Sequence, residues 1–205
     1  MPGFLLRWHV HQNRSKDYLL TAKQTLRRAI RDAWSQVSPE DRVRWTEEIT
    51  REIVANRVWT KAREVLVYQT MHDEIDTASL ISESQATGKS VFVPAYDGDQ
   101  MWFHRIEAAG DVWAPSADGT PKGALVICPG RAFDARGNRL GRGKGYYDRF
   151  LGQFGIHCFT IGIGAPFQLV SEVPAGENDV RLDAVCTPLG DGSALRFIDS
   201  PHQNQ

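Results

Sequence analysis

The segment NRLGRGKGYYDRF, residues 138–150, combines flexible, cationic and aromatic residues more densely than any other part of the sequence. It alternates three glycines with Arg142 and Lys144, and two tyrosines and an aspartate follow directly. Glycine adopts positive φ angles and permits close approach to the backbone, so successive N–H groups can form a concave anion site. Because Arg139 adds a third cation, the chemistry of the segment suits a polyphosphate.

The spacing of the glycines separates this segment from two common phosphate loops. Gly141, Gly143 and Gly145 form a Gly-x-Gly-x-Gly pattern, whereas a Walker A loop reads GxxxxGK[ST] and a dinucleotide loop reads GxGxxG. Glycine content alone predicts a solvent-exposed tight turn equally well. The phosphate interpretation is favoured because the segment follows the apolar run ALVIC, 124–128, and precedes a predicted helix at Tyr146. Ligands of α/β sheets bind at the carboxyl ends of strands and at helix N-termini.

Predicted helices and strands alternate along much of the chain. Apolar residues at three- and four-residue steps predict a helix over residues 15–37, and Ser38 is a suitable cap for a second helix that extends to about Asn56. Apolar runs predict strands at residues 64–70, 90–95, 101–106, 124–128, 157–164, 183–187 and 195–199, with helical stretches near 76–87 and 146–154. The alternation predicts an α/β protein: a single three-layer α/β/α domain, Rossmann-like, around a mostly parallel sheet.

The composition restricts the domain organisation and the partners. We expect residues 1–14 to form a flexible N-terminal extension, residues 15–200 to form the domain, and residues 108–123 to form a surface loop. The net charge of −1, from 24 basic and 25 acidic residues, argues against a protein that coats nucleic acid. No apolar run approaches the ~20 residues that span a membrane, and the N-terminus lacks a signal-peptide core. We therefore expect a cytoplasmic protein with no nucleic-acid or membrane partner.

The cysteines and histidines do not form a recognisable metal site. Cys128, Cys158 and Cys186 are odd in number and far apart, and each lies in an apolar run. They are predicted to be buried free thiols in a reducing compartment rather than a disulfide framework or zinc ligands. The six histidines show neither an HxxH nor an HExxH pattern, so we expect no zinc site.

Four segments together resemble a known family. PGRAFDARGNRLGRGKGYYDRFL, residues 129–151, closely resembles the signature of the 5-formyltetrahydrofolate cyclo-ligases, which are also called methenyltetrahydrofolate synthetases. KQTLR (23–27), MHDEIDT (71–77) and ENDVRLDAVCT (177–187) resemble three further blocks of that family, in the same order. The glycine block is long and specific, whereas the other three are weak signals when taken singly.

The resemblance implies a reaction and its partners. The family uses ATP and Mg²⁺ to close 5-formyltetrahydrofolate to 5,10-methenyltetrahydrofolate, with release of ADP and phosphate through a phosphorylated formyl intermediate. The implied partners are two small molecules, ATP and a reduced folate, and we expect a monomer. The alternative is an inactive relative that binds folate or nucleotide without turnover. Ala114 keeps this alternative open, because many members carry an acidic or amide residue at the matching position.

The resemblance also implies roles for individual residues. The implied ATP-binding residues are Lys23, Arg27, Arg139, Gly141, Arg142, Gly143, Lys144, Gly145, Tyr146 and Tyr147. The implied folate-binding residues are Gln69, Met71, Glu74, Arg142, Gly143, Lys144, Gly145 and Tyr146. The implied catalytic residues are Arg142, Lys144 and Tyr146. The implied Mg²⁺ ligands are Asp148 and Asp179, with Asp183 as the alternative to Asp179.

Several of these residues have an ordinary structural interpretation beside the functional one. Lys23 and Arg27 share one helix face, and such a pair forms part of a solvated charged surface in most proteins. That structural role is the one expected for Arg28 and Arg31. Tyr146 and Tyr147 stand at the start of a helix, and we expect one to pack in the core and the other to face the ligand. Asp148 has a structural alternative as a helix-dipole partner. Trp113 and Phe133 are suited to stack on a pterin or a nucleotide base, but such residues more often belong to the core.

Overall fold

The computed structural model describes residues 16–114 and 123–188. The helices are α1 (Lys16–Trp34), α2 (Pro39–Ala55), α3 (Arg57–Lys61), α4 (Ala78–Ala86) and α5 (Tyr146–Phe154). The strands are β1 (Glu64–Val67), β2 (Ser90–Asp97), β3 (Gln100–Arg105), β4 (Ala108–Val112), β5 (Ala124–Cys128), β6 (Ala132–Asp134), β7 (Arg139–Leu140), β8 (Cys158–Ile163), β9 (Leu169–Val170) and β10 (Ala184–Cys186).

The strands form one large sheet and one small sheet. The large sheet has seven strands in the order β10-β8-β5-β1-β2-β3-β4. Pairing is parallel from β10 through β2, whereas β3 and β4 are antiparallel at one edge. The small sheet, β7-β6-β9, lies beside the glycine segment, and residues of α1 contact β6. The prediction of a three-layer α/β/α fold around a mostly parallel sheet is confirmed.

The central strands are apolar throughout because helices cover both faces of a parallel sheet. All five residues of β5 are buried, and so are the last three residues of β1. Trp113 and Phe133 are also buried, so the expectation that both belong to the core is confirmed. Phe133 packs so closely on Gly162 that a Cβ there would lie 2.4 Å from the phenyl ring, which makes this glycine a steric requirement.

Capping residues define the second helix as expected from the sequence. The hydroxyl of Ser38 accepts a hydrogen bond of 3.1 Å from the Asp41 N–H, and Pro39 occupies the first helical turn. The helix ends at Ala55, and the next residue, Asn56, accepts a hydrogen bond from the Val58 N–H through its side chain and so caps α3. The first helix ends at Trp34, three residues before the predicted boundary at residue 37.

Other predicted boundaries differ from the structure. The first strand ends at Val67 rather than at residue 70, because the chain then turns and the Tyr68 carbonyl accepts from the Thr77 hydroxyl. Residues 108–112 form the edge strand β4, so the predicted surface loop over 108–123 is wrong for that part. Helix α3 and strands β6, β7 and β9 were not predicted, because segments of two to five residues carry too little periodicity. The predicted extension 1–14 and strand 195–199 lie outside the described residues.

The three cysteines are free thiols, as predicted. Cys128 and Cys186 are buried, whereas Cys158 is only half-buried, which corrects the expectation that all three lie fully inside. Burial raises the pKa of Cys128 and of Cys158 to about 12, and it also raises the pKa of Cys186. The thiolate form, which is the nucleophile, is therefore scarce at neutral pH.

We expect the native protein to react slowly with a thiol-specific reagent near pH 8, a pH at which an ordinary cysteine reacts readily. All three thiols should react rapidly in denaturant, because unfolding restores their ordinary pKa. The measurement is the rate of colour release from an aromatic disulfide reagent with and without guanidinium. Rapid native labelling of Cys158 would contradict the effect of burial on that thiol.

No helix among residues 16–114 and 123–188 combines the length and apolar character needed to cross a bilayer.

Candidate active site

The glycine segment forms a loop between β7 and α5. Gly143 and Gly145 have φ angles of +108° and +68°, which side-chain-bearing residues rarely adopt. Gly145 is the residue before α5, and the helix begins at Tyr146 as predicted. The loop leaves the side chains of Arg142 and Lys144 exposed to solvent. The glycines are therefore required by the backbone path, and the path presents two cations.

Helix α1 brings two further cations to this loop. Arg27 Nε donates a hydrogen bond of 2.8 Å to the Gly141 carbonyl, and Lys23 Nζ lies 2.5 Å from Asp179 Oδ2. Burial lowers the pKa of Arg27, nearby Arg131 lowers it further, and Asp179 opposes both effects. Arg27 thus faces the glycine loop and Lys23 faces Asp179, so neither side chain belongs to a solvated charged face. Arg28, by contrast, is exposed, as expected.

The turn after β1 reaches the same loop from the other side. Glu74 Oε1 accepts hydrogen bonds from Arg142 Nε at 3.1 Å and from Arg142 Nη2 at 2.9 Å. Glu74 Oε2 accepts from the Met71 N–H at 3.0 Å. The sequence assigned Glu74 to folate alone, whereas the structure pairs it directly with Arg142, which was assigned to both ATP and folate.

Asp73 is a site residue that the sequence reasoning missed. Its side chain is 3% exposed, and its two oxygens accept hydrogen bonds from Arg142 Nη2 and Arg131 Nη1. Burial alone would raise the pKa of this carboxyl, but the hydrogen bonds from Arg142 and Arg131 hold the pKa below its ordinary value. Burial likewise lowers the pKa of Arg142, yet pairing with Asp73 and Glu74 raises it above its ordinary value. The ion-paired state is thus favoured for both partners. The signal available in the sequence was only the adjacency of Asp73 to Glu74.

A cavity of about 310 Å³ lies between the turn and the loop. The residues of its lining that the sequence analysis assigned to the site are Gln69, Met71, Glu74, Arg139, Gly141, Arg142, Lys144, Gly145, Tyr146, Tyr147 and Asp148. Its unpredicted lining residues are Tyr68, Tyr96, Pro129 and Gly130. The predicted residues outside its lining are Lys23, Arg27, Gly143 and Asp179. Asp179 instead lines a neighbouring polar cavity, next to Gly176. The structure thus brings together residues from all the resembling blocks, although not all of them reach one cavity.

The two tyrosines differ as expected, because one is buried and the other is partly exposed. Tyr146 donates its hydroxyl to the Gly98 carbonyl at 2.7 Å, and its ring lies 4.9 Å from the ring of Tyr96. Tyr147 is buried, and its hydroxyl has no hydrogen-bond partner among the residues that the structure describes. Burial raises the pKa of Tyr147 well above its ordinary value, so the hydroxyl keeps its proton. A buried orphan hydroxyl at the cavity wall is available to a ligand.

The three candidate metal ligands occupy different surroundings. Asp148 Oδ1 accepts a hydrogen bond of 2.9 Å from Arg139 Nη2, and the Val180 N–H lies 3.5 Å from the same oxygen. Asp179 Oδ2 accepts from Lys23 Nζ at 2.5 Å and from the Gly176 N–H at 2.6 Å. Asp183 Oδ2 instead accepts both the N–H and the hydroxyl of Thr160 at 2.8 Å, which ties it to β8.

Asp148 and Asp179 supply carboxylate oxygens, the type of donor that a magnesium ion takes when it also binds substrate phosphates. Within residues 16–114 and 123–188 there is no group of three or more side chains that would hold a metal alone. Each of these two aspartates has a second oxygen without a hydrogen bond to the described residues. Mg²⁺ commonly takes one or two carboxylates and completes its shell with phosphate oxygens and water.

A scan against protein-family models matches residues 20–188 of the 205 residues to the 5-formyltetrahydrofolate cyclo-ligase family. The chain belongs to this family. A mouse relative named 5-formyltetrahydrofolate cyclo-ligase is 27% identical over 188 residues, which cover 80% of this chain and 93% of the mouse protein. An Escherichia coli K12 relative of the same name is 29% identical over 176 residues, covering 78% of this chain and 96% of that protein.

Two solved structures share the cyclo-ligase fold with this chain. The NMR structure of the Aquifex aeolicus 5,10-methenyltetrahydrofolate synthetase matches with a TM-score of 0.68 at 24% identity, covering 89% of this chain and 99% of that chain. The Mycoplasma pneumoniae 5,10-methenyltetrahydrofolate synthetase also gives a TM-score of 0.68, at 23% identity, and the match covers 80% and 96% of the two chains. The similarity covers nearly the whole of both structures, so the mixed α/β architecture is that of the family.

Proposed function

We propose that this protein is an ATP- and Mg²⁺-dependent 5-formyltetrahydrofolate cyclo-ligase. One observation carries the proposal: a single cavity is lined by the Glu74 turn on one side and by the cationic glycine loop on the other. A folate held by the turn and a polyphosphate held by the loop would meet inside it. Membership of the family supports the same substrates. We expect the enzyme to work as a cytoplasmic monomer on these small molecules alone.

The chemistry must convert the formyl oxygen into a leaving group. In the proposed first step this oxygen attacks the γ-phosphorus of ATP, the new O–P bond forms, and the bond to ADP breaks. The neighbouring anilino nitrogen then attacks the formyl carbon and loses its proton. The C–O bond breaks with release of phosphate, which leaves the methenyl bridge. Charge on the transferring phosphoryl group is stabilised chiefly by positioned cations and N–H donors.

The loop residues are suited to hold the phosphates. Arg142 engages its Nε and Nη2 with acids, and its Nη1 has no hydrogen-bond acceptor among the described residues, so it is free to donate to phosphate. Lys144 is exposed beside it, and the backbone of Gly143 and Gly145 adds N–H donors. These donors stand at the N-terminus of α5, which itself favours an anion.

Asp148 and Asp179 are the proposed ligands for Mg²⁺. When bound, the ion would neutralise negative charge on the phosphates. Within the chain, Arg139 and Lys23 fix the orientation of these two carboxylates through the ion pairs described above. The Val180 N–H, which lies near Asp148, connects the two segments that carry them.

The wall opposite the loop is suited to a reduced folate. Glu74 supplies two carboxylate oxygens, which match two N–H donors of an aminopyrimidine edge. Met71 and Gln69 border the same space, and Tyr146 stands against Tyr96 at its rim. The unpaired hydroxyl of Tyr147 would donate to an acceptor atom of either substrate.

One assay tests the function directly. Protein, 5-formyltetrahydrofolate and Mg·ATP are mixed, and the absorbance of the methenyl product is followed. Turnover should require both the nucleotide and Mg²⁺. Product formed at full rate without nucleotide would contradict the mechanism. Binding of both substrates without any product would instead support the inactive relative, for which Ala114 is the motivating feature.

Helix α1 allows a matched pair of variants that tests the nucleotide side. Arg27→Ala removes the guanidinium that contacts the Gly141 carbonyl, and loss of one charged hydrogen bond should weaken Mg·ATP binding by roughly 10- to 100-fold. Arg28→Ala removes the same charge from the adjacent exposed position and should change binding less than about twofold. Calorimetric titration of Mg·ATP measures both. Equal effects of the two substitutions would show that α1 contributes only its overall charge.

A further inference from the structure

Asp73 is a buried carboxylate with two guanidinium partners and no part in the reaction as proposed. Its Oδ1 accepts a hydrogen bond from Arg142 Nη2, and its Oδ2 accepts one from Arg131 Nη1. Each oxygen therefore accepts from one arginine, and Oδ2 also lies 3.8 Å from Nε2 of the exposed His72 side chain. Because a carboxylate this buried is stable only when it is paired, the arrangement fixes the positions of both guanidinium groups.

Arg142 needs such an anchor because its own backbone provides little rigidity. It lies between Gly141 and Gly143 in an exposed loop, and Gly143 has a φ of +108°. The side chain is 34% exposed, and a long side chain loses considerable rotamer entropy when it is held in one conformation. Two acids now hold it: Asp73, which is buried, and Glu74, which borders the cavity.

The two acids differ in whether they can keep Arg142 once a folate binds. Glu74 Oε1 accepts both the Nε and the Nη2 hydrogen bonds of Arg142. A folate that takes this oxygen must displace at least part of that contact. Asp73 is 3% exposed and does not line the cavity, so a ligand there leaves its pairing with Arg142 intact.

On the basis of the proposed function, we propose that Asp73 is the positioning residue for Arg142. Asp73 holds the guanidinium of Arg142 at the glycine loop. Glu74 meanwhile gives up its hydrogen bonds to Arg142 and accepts hydrogen bonds from the folate instead. Arg131 fixes Asp73 through its other carboxylate oxygen. Folate binding then frees N–H donors of Arg142 to bind phosphate, while Asp73 keeps the guanidinium in place. Each substrate therefore favours the binding of the other.

The test is a double-mutant cycle between Asp73→Asn and Arg142→Ala. Asp73→Asn should lower kcat/KM for Mg·ATP by roughly 10- to 100-fold, because a displaced guanidinium no longer meets the phosphate. The KM for folate should change much less. In the Arg142→Ala background, Asp73→Asn should lower kcat/KM for Mg·ATP by less than about twofold, because the guanidinium that Asp73 positions is absent. Asp76→Asn in the same turn is the matched control and should be close to wild type.

A purely structural role gives a different result. If Asp73 only supports the fold, Asp73→Asn will weaken both substrates together and will act equally in both backgrounds, which overturns the proposal. If Asp73→Asn does not fold, Asp73→Asn and Arg131→Met are introduced together as one change in the cycle, so that Arg131 is not left buried without its partner. If the wild-type protein makes no methenyl product, the proposed function fails, and the same cycle is then measured by Mg·ATP titration. Full additivity of the binding effects there overturns the positioning role independently.

Discussion

Replacing Arg142 with alanine is expected to lower kcat/KM by roughly 10²- to 10⁴-fold, since one or two charged hydrogen bonds of roughly 1.5–3 kcal/mol each are lost. The side chain holds the centre of the site, because it contacts both Asp73 and Glu74 and borders the cavity. No neighbouring group replaces a planar, forked donor. The measurement is steady-state kinetics of methenyl formation with each substrate varied in turn.

The fold should survive this substitution. Arg142 lies in an exposed loop, and Asp73 keeps its pairing with Arg131. A thermal melt should therefore show a cooperative transition at a modestly lower temperature. Arg142→Lys, which retains the charge and loses the forked geometry, should recover only a small part of the activity. If the alanine variant shows wild-type kinetics, the glycine loop is an exposed turn without a role in the reaction.

The second large effect is expected for Glu74→Gln, which should weaken folate binding by roughly 5- to 100-fold. The substitution keeps the size of the side chain and exchanges one acceptor oxygen for a donor, which leaves a desolvated mismatch of about 1–3 kcal/mol against the pterin N–H groups. Mg·ATP binding should change far less, because Asp73 still holds Arg142. Separate titrations of folate and Mg·ATP measure the two effects. Loss of ATP binding with folate binding intact would reverse the proposed roles.

Asp148→Asn should give the complementary result and separates the two halves of the site. The variant removes a charge from the proposed metal site, so the Mg²⁺ concentration for half-maximal activity should rise by about tenfold or more. Folate binding without nucleotide should be kept. The variant should also melt at a lower temperature, because Arg139 is almost fully buried and loses its partner. Asp183→Asn is the matched control: it removes the charge from the oxygens that accept from Thr160 and should affect stability without changing the Mg²⁺ requirement.

Local features of this protein could be predicted from its sequence because their physical causes are local. The positive φ angles at Gly143 and Gly145 are accessible to glycine without strain, so the glycines themselves indicated the loop. Ser38 and Pro39 identified the start of α2 because the cap and the N–H group that it accepts from, at Asp41, lie within four residues. The strand ALVIC was evident because burial on both faces requires a continuous apolar run.

The resemblance to the family located most of the cavity lining, but it did not give the pairing of those residues. Glu74 was assigned to folate and Arg142 to both substrates, and their hydrogen bonds to each other were not predicted. The strand β4 was missed because its edge position and partly exposed residues give no alternating apolar pattern.

Only the tertiary structure decided which charges neutralise each other. Lys23 pairs with Asp179 across 156 positions, and Arg142 pairs with Asp73 across 69. The sequence contained all four side chains, and each could equally have been solvated. The Arg142–Asp73 pair forms because the parallel sheet places β1, which leads into the Asp73 turn, beside β5, which leads toward the glycine loop. Burial then makes the pairing of Asp73 obligatory, since an isolated buried charge is unstable. The burial of this carboxylate depends on the packed chain, because an aspartate in a turn carries no local sign of being buried.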